Sequence, residues 1–113
     1  MEAAQRATAA VAAWAKRNGG PDKARVYGSP LTAYLCGLRH LLPPSVFDRG
    51  NLSGILPPAV SPDTVSGRLK PTYFKVLKVI HPDKQVKGMD HYEQVLLTEL
   101  FQVLNQAAQI EEL

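Results

Sequence analysis

Apolar residues recur at helical spacing in two stretches of the N-terminal half of the chain. Residues 2–18 are rich in alanine, the strongest helix former, with Val11 and Trp14 on one face, and a Gly-Gly-Pro tripeptide follows as a stop signal. Residues 30–42 carry leucines and a tyrosine at intervals of three and four, after a serine that can cap a helix and a proline suited to its first turn. Both stretches predict amphipathic helices.

Residues 43–60 interrupt this helical pattern. They hold four of the nine prolines and two of the glycines, so we predict a long surface loop. Large apolar residues are nevertheless frequent in this segment. We expect five of them to fix the loop to the core: Val46, Phe47, Leu52, Ile55 and Leu56.

The C-terminal half predicts a pair of amphipathic helices and, with the segments before it, an all-α fold. Residues 61–80 carry a helical apolar pattern, but the ring of Pro71 would clash with the carbonyl of Gly67. We therefore expect a kink near Pro71 or a new helix that begins there. Residues 91–110 form the last helix, after a loop at 81–90. Two helices joined by so short a loop are expected to pack as an antiparallel pair.

Composition places the chain among small globular domains. A length of 113 residues, 45% of them hydrophobic, suits one compact domain, and a net charge of +3 permits an acidic partner without requiring nucleic acid. Cys36 is the single cysteine, which excludes an intramolecular disulfide and favours a reducing compartment. No apolar run reaches the length of a membrane span. We expect a cytoplasmic monomer that neither inserts into membranes nor binds nucleic acid.

Cations occupy one half of the predicted 65–80 helix. On a helical wheel, four of them lie opposite the apolar face and no acidic residue interrupts them: Arg68, Lys70, Lys75 and Lys78. A solvated surface is the ordinary explanation of such a pattern. Phe74 lies among these cations, however, and an exposed aromatic side chain there favours an interaction surface.

The tripeptide His81-Pro82-Asp83 follows this helix directly. Pro82 disfavours helical geometry at His81 and so ends the helix. Asp83 is a short carboxylate that can cap backbone groups or meet an arginine of a partner. By itself the tripeptide is an ordinary proline turn, and its context decides its meaning.

That context resembles the J-domain of DnaJ-type co-chaperones. The resemblance is carried by the stretch from Lys70 to Lys84 and by Phe101-Gln-Val-Leu-Asn-Gln-Ala107 in the last helix. In the family, a tyrosine eight residues before the histidine, surrounding basic residues, a His-Pro-Asp loop and a Phe-x-x-apolar-Asn-x-Ala stretch recur in this order. The chain departs from the family at Phe74, where a basic residue is usual, and at Pro71, which lies inside the usual second helix.

The layout is most similar to auxilin, the J-protein that uncoats clathrin. Auxilin has an extra N-terminal helix with a tryptophan, a long loop before the lysine helix and no fourth helix, and Trp14 and the 43–60 segment parallel these features. The resemblance then implies that residues 1–57 are a helical extension with the first J helix at about 30–42. Residues 58–113 are implied to hold the second and third J helices within one compact domain.

The J-domain resemblance implies a co-chaperone that binds a heat shock protein 70-type chaperone and stimulates its ATP hydrolysis. The implied chaperone-binding residues are Lys70, Tyr73, Phe74, Lys75, Lys78, His81, Pro82, Asp83 and Lys84. The auxilin resemblance adds the clathrin coat as cargo, to be selected by a segment upstream of Met1. Two alternatives stay open, which are an inactive J-like interaction scaffold and a J-protein with cargo other than clathrin.

The sequence contains no pattern that points to an active site of its own. We find no nucleophile–base pair, no glycine-rich phosphate loop and no cluster of metal ligands. We therefore expect no enzymatic activity, no cofactor and no metal, with the catalytic groups of the reaction supplied by the partner chaperone.

Overall fold

The computed structural model of the protein describes residues 2–56, 62–81 and 90–111. Every regular element in these ranges is helical, in agreement with the predicted all-α class. The α-helices are α1 (Ala3–Asn18), α2 (Pro21–Tyr27), α3 (Pro30–Cys36), α4 (Pro44–Gly50), α5 (Pro62–Gly67), α6 (Leu69–Ile80) and α7 (His91–Ile110). Two short 3-10 helices lie at Leu38–His40 and Leu52–Gly54.

Helix α1 forms where the alanine-rich pattern predicted it and is an integral part of the core. Its inward stripe of Ala7, Val11 and Trp14 is buried. Its packing against α7 is the most extensive between any two helices of the described residues. The small side chain of Ala7 allows the two helix backbones to approach closely, and Thr8 Oγ1 donates to Glu99 Oε1 across the pair at 3.4 Å. Although predicted as an extension, α1 therefore supplies core that the other helices share.

The Gly-Gly-Pro stop signal ends α1 and also starts a helix that the sequence reasoning did not predict. Pro21 occupies the first turn of α2, where a proline needs no hydrogen-bond donor. Helix α2 ends at Gly28, whose φ of 94° lies in the left-handed region that favours glycine. None of its residues is fully buried, so the apolar periodicity that reveals longer helices is missing.

The predicted 30–42 helix begins as expected but ends early, at Cys36. Ser29 caps it, since its hydroxyl accepts from the backbone N–H of Thr32 at 3.2 Å. The helix stops at Gly37 because α1 approaches there, and a Cβ on Gly37 would lie 2.7 Å from Asn18 Oδ1. The apolar pattern continues through the 3-10 helix Leu38–His40, so Leu38 and Leu42 are still buried.

The prediction of a long loop at 43–60 is wrong for the residues that the structure describes. Residues Pro44–Gly50 form α4 and Leu52–Gly54 form a 3-10 helix. Pro44 is the first residue of α4 and Pro43 precedes it, positions where a proline is tolerated, so the number of prolines alone was misleading. The expected anchoring to the core is confirmed at Val46, Leu52, Leu56 and, partly buried, Ile55, while the side chain of Phe47 lies outside the described part of the structure.

Arg39 hydrogen-bonds to the backbone at the end of this segment. Its guanidinium donates from Nε and from one terminal nitrogen to the carbonyl oxygen of Leu56, at 3.2 and 2.9 Å. A two-pronged, charge-assisted donor of this kind fixes both the position and the direction of the carbonyl. These two hydrogen bonds therefore hold Leu56, which follows the 3-10 helix Leu52–Gly54, against the residues after α3.

The predicted 61–80 helix is divided at Arg68 into α5 and α6, three residues before the expected break at Pro71. Arg68 has a non-helical backbone (φ −132°, ψ 37°), and Pro71 falls in the first turn of α6. The break removes the clash of the proline ring with the carbonyl of Gly67, because a first-turn residue has no intrahelical partner four residues back. The predicted helix start at Pro62 is confirmed, while the predicted cap Ser61 lies outside the described residues.

Helix α7 has its predicted bounds and is the longest helix of the described residues. Asp90 caps it, because its carboxylate accepts from the backbone N–H of Tyr92 at 2.6 Å. The core draws on both the 1–57 and the 58–113 segments. Its largest fully buried side chains are Trp14, Leu31, Leu35, Leu38, Val46, Leu52, Val65, Ile80, Leu96, Leu97, Leu100 and Leu104.

Within the described ranges, no helix has both the length and the apolar character that crossing a bilayer requires. Helices α6 and α7 contact each other, as the predicted pairing requires. Their antiparallel sense stays a prediction, since most of the intervening loop (82–89) lies outside the described residues.

The junction after α1 generates a stability prediction with a matched control. A Cβ on Gly19 would lie 2.0 Å from Tyr34 Oη and 2.8 Å from the carbonyl oxygen of Ala15, whereas a Cβ on Gly20 would meet nothing within 4 Å. Because overpacking forces rigid neighbours to move, Gly19→Ala should lower the free energy of unfolding by about 1–3 kcal/mol. Urea denaturation followed by Trp14 fluorescence measures this change.

Gly20→Ala is the control and should change the free energy of unfolding by no more than about 0.5 kcal/mol. Neither glycine has a positive φ, so backbone strain does not separate them. Equal effects of the two substitutions would show that Tyr34 does not pack against Gly19 in this way.

Candidate functional site

Helix α6 divides into a core face and a solvent face, as its sequence predicted. Thr72, Tyr73, Val76 and Ile80 are buried, and they recur at the intervals of three and four that align side chains along a helix. No β-branched run or glycine interrupts the helix, and its single proline lies in the first turn, where it is tolerated. The buried face holds α6 against α7, which determines the direction in which the opposite face points.

The opposite face carries cations, one aromatic side chain and the exposed Pro71, and no acidic residue. Lys70, Lys75 and Lys78 are exposed, as is Arg68 at the start of the helix. None of these four side chains makes an ion pair or hydrogen bond in the described structure. Lys70, Phe74 and Lys78 follow one another at steps of four residues and so form a row along the helix. We call Arg68, Lys70, Phe74, Lys75 and Lys78 the cationic face.

Phe74 is the exception on this face, because it is a large apolar side chain that remains 43% exposed. Its ring centroid lies 5.5 Å from that of Tyr73, at an interplanar angle of 48°. The contact holds the Phe74 ring at the boundary between the core face and the cationic face. The helix thus presents one exposed aromatic ring flanked by two lysines, and aromatic side chains are enriched where proteins dock.

Tyr73 lies on the core face and not among the lysines. Its side chain is only 3% exposed, and burial raises the pKa of its hydroxyl. The hydroxyl makes no hydrogen bond in the described structure, yet it is not among the buried polar atoms that lack a partner. The phenol ring is therefore buried while its oxygen reaches the surface, where a partner can contact only the edge of the residue.

His81 ends α6 in the geometry that a following proline imposes. Its backbone is extended (φ −56°, ψ 133°), and its N–H donates to the carbonyl of Leu77 at 2.8 Å to close the last turn. The imidazole packs edge-to-face against Phe101 of α7, with ring centroids 5.1 Å apart and planes at 74°. Contacts of this geometry contribute about 0.5–1.5 kcal/mol beyond the area they bury.

The contact between His81 and Phe101 was not foreseen from the sequence. Both residues belong to the predicted J-domain pattern, but nothing in their separation along the chain indicates that their rings touch. Phe101 is partly buried against the core, so it fixes the histidine at the end of the cationic face. Pro82, Asp83 and Lys84 were predicted to follow in the same site and lie outside the described residues.

The described residues contain no group of three or more histidine, cysteine or carboxylate side chains that could hold a metal ion. Comparison of the chain with protein-family models, curated proteins and solved structures finds no match. The functional interpretation therefore rests on the residues and their arrangement.

Burial of two tyrosines generates a prediction for the alkaline titration of the protein. Burial raises the pKa of both Tyr34 and Tyr73, so the fold favours their neutral forms. Their contribution to stability is complete below the ordinary tyrosine pKa of about 10 and is lost as the pH rises through the higher folded-state value. As the pH is raised, the part of the phenolate absorbance that comes from Tyr34 and Tyr73 should therefore appear at a higher pH in the folded protein than in a denatured sample.

The same protein in concentrated urea is the control, because all four tyrosines should then titrate together near their ordinary pKa. Tyr73→Phe should remove part of the late-titrating absorbance in the folded sample. Superimposable folded and denatured curves would contradict the burial of these hydroxyls.

Proposed function

We propose that this chain is a J-domain co-chaperone that binds a heat shock protein 70-type chaperone and stimulates its ATP hydrolysis. The observation that carries the proposal is the arrangement of α6. A cationic face that no acidic residue interrupts, and whose cations make no ion pair among the described residues, leads within one turn from Lys78 to a histidine held in place by Phe101. The sequence then continues with Pro82 and Asp83, as in the family that it resembles.

The physical role of the cationic face is to attract and orient an acidic surface of the chaperone. Unpaired, solvated lysines accelerate association with an oppositely charged partner and fix its register more than they add affinity. Once α6 is docked, the His-Pro-Asp loop lies against the chaperone and promotes hydrolysis there. In this proposal the chain supplies no catalytic group, and the ATPase chemistry belongs to the partner.

Within the J-domain family, we propose an auxilin-like role with the clathrin coat as cargo. Trp14 supports this, because an N-terminal helix bearing a buried tryptophan was one of the parallels with auxilin. The long loop at 43–60 was another and no longer supports it, since α4 lies there. A J-protein that serves other cargo shares the same α6 and remains the alternative for cargo.

Phe74 favours a second candidate, an inactive J-like scaffold that docks another protein on the same face. Its exposed ring lies where the resembled family usually has a basic residue. The two candidates differ in the response of α6 to the chaperone. In an NMR titration, a co-chaperone shows shifts at Lys70–Lys78 and His81, whereas a scaffold for a different partner shows none.

The loop carboxylate provides the sharpest test of the co-chaperone proposal. Asp83→Asn should return single-turnover ATP hydrolysis by the chaperone to its basal rate, because the amide cannot offer the charged acceptor that a partner arginine requires. Circular dichroism and thermal unfolding should match the unsubstituted protein. The same variant in a clathrin-basket release assay tests the cargo.

Asp63→Asn is the matched control, since Asp63 is an exposed carboxylate in the first turn of α5. It makes the same chemical change and should leave stimulation intact. Full stimulation by a folded Asp83→Asn protein would refute the proposed role of the loop.

Charge reversal on α6 tests the docking step separately. Lys70→Glu/Lys75→Glu should raise the concentration needed for half-maximal stimulation about tenfold, equivalent to about 1.4 kcal/mol. The deficit should be largest at low salt and should shrink as added salt shortens the Debye length from about 10 Å at 0.1 M to about 3 Å at 1 M.

Lys16→Glu/Arg25→Glu is the control for net charge, because Lys16 and Arg25 are exposed on α1 and α2. This pair changes the total charge by the same amount and should retain near-normal stimulation. If both pairs weaken stimulation equally, the interaction senses overall charge, and α6 is not its docking surface.

A further inference from the structure

A second concentration of unpaired cations surrounds a cleft formed by other elements. The cleft has a volume of about 470 Å³ and lies between the end of α1, helix α2 and the junction that follows α3. Its lining includes Arg17, Lys23 and His40, one from each of these three parts of the chain. None of its lining residues belongs to α6, so the cleft is separate from the cationic face.

The charge around this cleft is of one sign. Among the described residues no carboxylate lines it, although Asp22 is the immediate neighbour of Lys23 in α2. The side chains of Arg17, Lys23 and His40 are exposed and make no ion pair or hydrogen bond in the described structure. Arg17 and Lys23 carry like charges at the same cleft, and a bound anion offsets their mutual repulsion.

Hydrogen bonding to the carbonyls at helix ends does not explain why Arg17, Lys23 and His40 lie at this cleft. Basic side chains near a helix C-terminus often satisfy its last carbonyls. Here two carbonyls near the end of α1 and the carbonyl of Gly37 accept from other donors. Trp14 O accepts from Asn18 Nδ2 at 2.9 Å, Ala15 O accepts from Gly19 N–H at 2.7 Å, and Gly37 O accepts from Trp14 Nε1 at 2.8 Å. Arg17 and His40 are thus left to face the cleft with their donors unused.

The remaining lining residues favour binding over catalysis. Cys36 contributes the single thiol, but burial raises its pKa, which keeps it protonated and a poor nucleophile. Tyr27 contributes an aromatic ring, a flat surface against which a cyclic compound can pack. A cleft that combines guanidinium, ammonium and imidazole donors with an aromatic wall suits a phosphate group attached to a ring.

We propose that this cleft binds a small phosphate monoester carried on a ring, with Arg17, Lys23 and His40 donating to the phosphate oxygens. The volume lies within the range of about 300–1,000 Å³ that is usual for small-molecule sites, and it exceeds the space a free phosphate needs. Nucleoside monophosphates and inositol phosphates share this chemistry. Binding is expected to weaken with salt, since all three donors are exposed.

The structure provides its own reporter for this binding. Gly37 lines the cleft, and its carbonyl accepts from the buried indole Nε1–H of Trp14. The experiment is a ¹H–¹⁵N NMR titration of the full chain with adenosine monophosphate, inositol trisphosphate or inorganic phosphate. The indole resonance and the amides of Gly37 and His40 should shift, while those of Lys70–Lys78 should not.

Arg17→Gln/Lys23→Gln should weaken binding of the ring phosphates by at least about tenfold, the effect of losing charge-assisted hydrogen bonds. Lys16→Gln/Arg25→Gln removes two exposed cations from the same helices without touching the lining and should leave affinity within about twofold. Unchanged Trp14 fluorescence verifies that both variants are folded.

Tighter binding of adenosine monophosphate supports a nucleotide ligand, and tighter binding of inositol trisphosphate supports an inositol phosphate. Any of three results overturns the proposal. One is binding of neither ring compound more tightly than inorganic phosphate. The others are equal weakening by the two pairs of substitutions and shifts centred on Lys70–Lys78, either of which indicates attraction by overall charge.

Discussion

Trp14 is completely buried, and its indole Nε1–H donates to the carbonyl oxygen of Gly37 at 2.8 Å. Its ring packs against Tyr34, with centroids 5.1 Å apart. This one side chain thereby joins the end of α1 to the end of α3. The Gly37 carbonyl also accepts from the backbone N–H of His40 at 3.1 Å, so it takes one donor from the 3-10 turn and one from α1. A buried indole without that acceptor would leave a polar N–H unsatisfied, at a cost of about 1–3 kcal/mol.

The rest of the N-terminal half follows from this contact. Gly19 and Gly37 lie where Tyr34 and Asn18 come too close for any larger side chain, so α1 ends and α3 stops at positions set by packing. The short 3-10 helix after Gly37 then presents Leu38 to the core and Arg39 to the carbonyl of Leu56. The same junction opens the basic cleft between α1, α2 and the residues that follow α3.

The C-terminal half depends on α7, which packs against α1 as well as α6. Because the buried face of α6 packs against the core, the lysines on its opposite face are exposed to solvent. Phe101 links this core to the proposed function, since it is partly buried on α7 and positions His81 at the end of α6. The proposed docking surface is therefore rigid where it is built on α6, and its cations keep the freedom of solvated side chains.

The sequence by itself determined the helices that have a long apolar period and a recognisable cap. Helices α1 and α7, the start of α3 and the two faces of α6 all follow from local spacing and from residues such as Ser29 and Asp90. It also supplied the His-Pro-Asp pattern and the cations around it, because these depend only on residue type and order. These features need no knowledge of distant contacts.

Only the tertiary structure decided where α3 ends, where the predicted 61–80 helix divides, which rings meet and which basic side chains share a cleft. The stop at Gly37 depends on Asn18 and Trp14, and the break at Arg68 places Pro71 in a first turn. The contact of His81 with Phe101 and the convergence of Arg17, Lys23 and His40 join residues that no local pattern relates. The physical reason is that steric exclusion and shared burial act between segments far apart in the chain, whereas propensity and periodicity act within one.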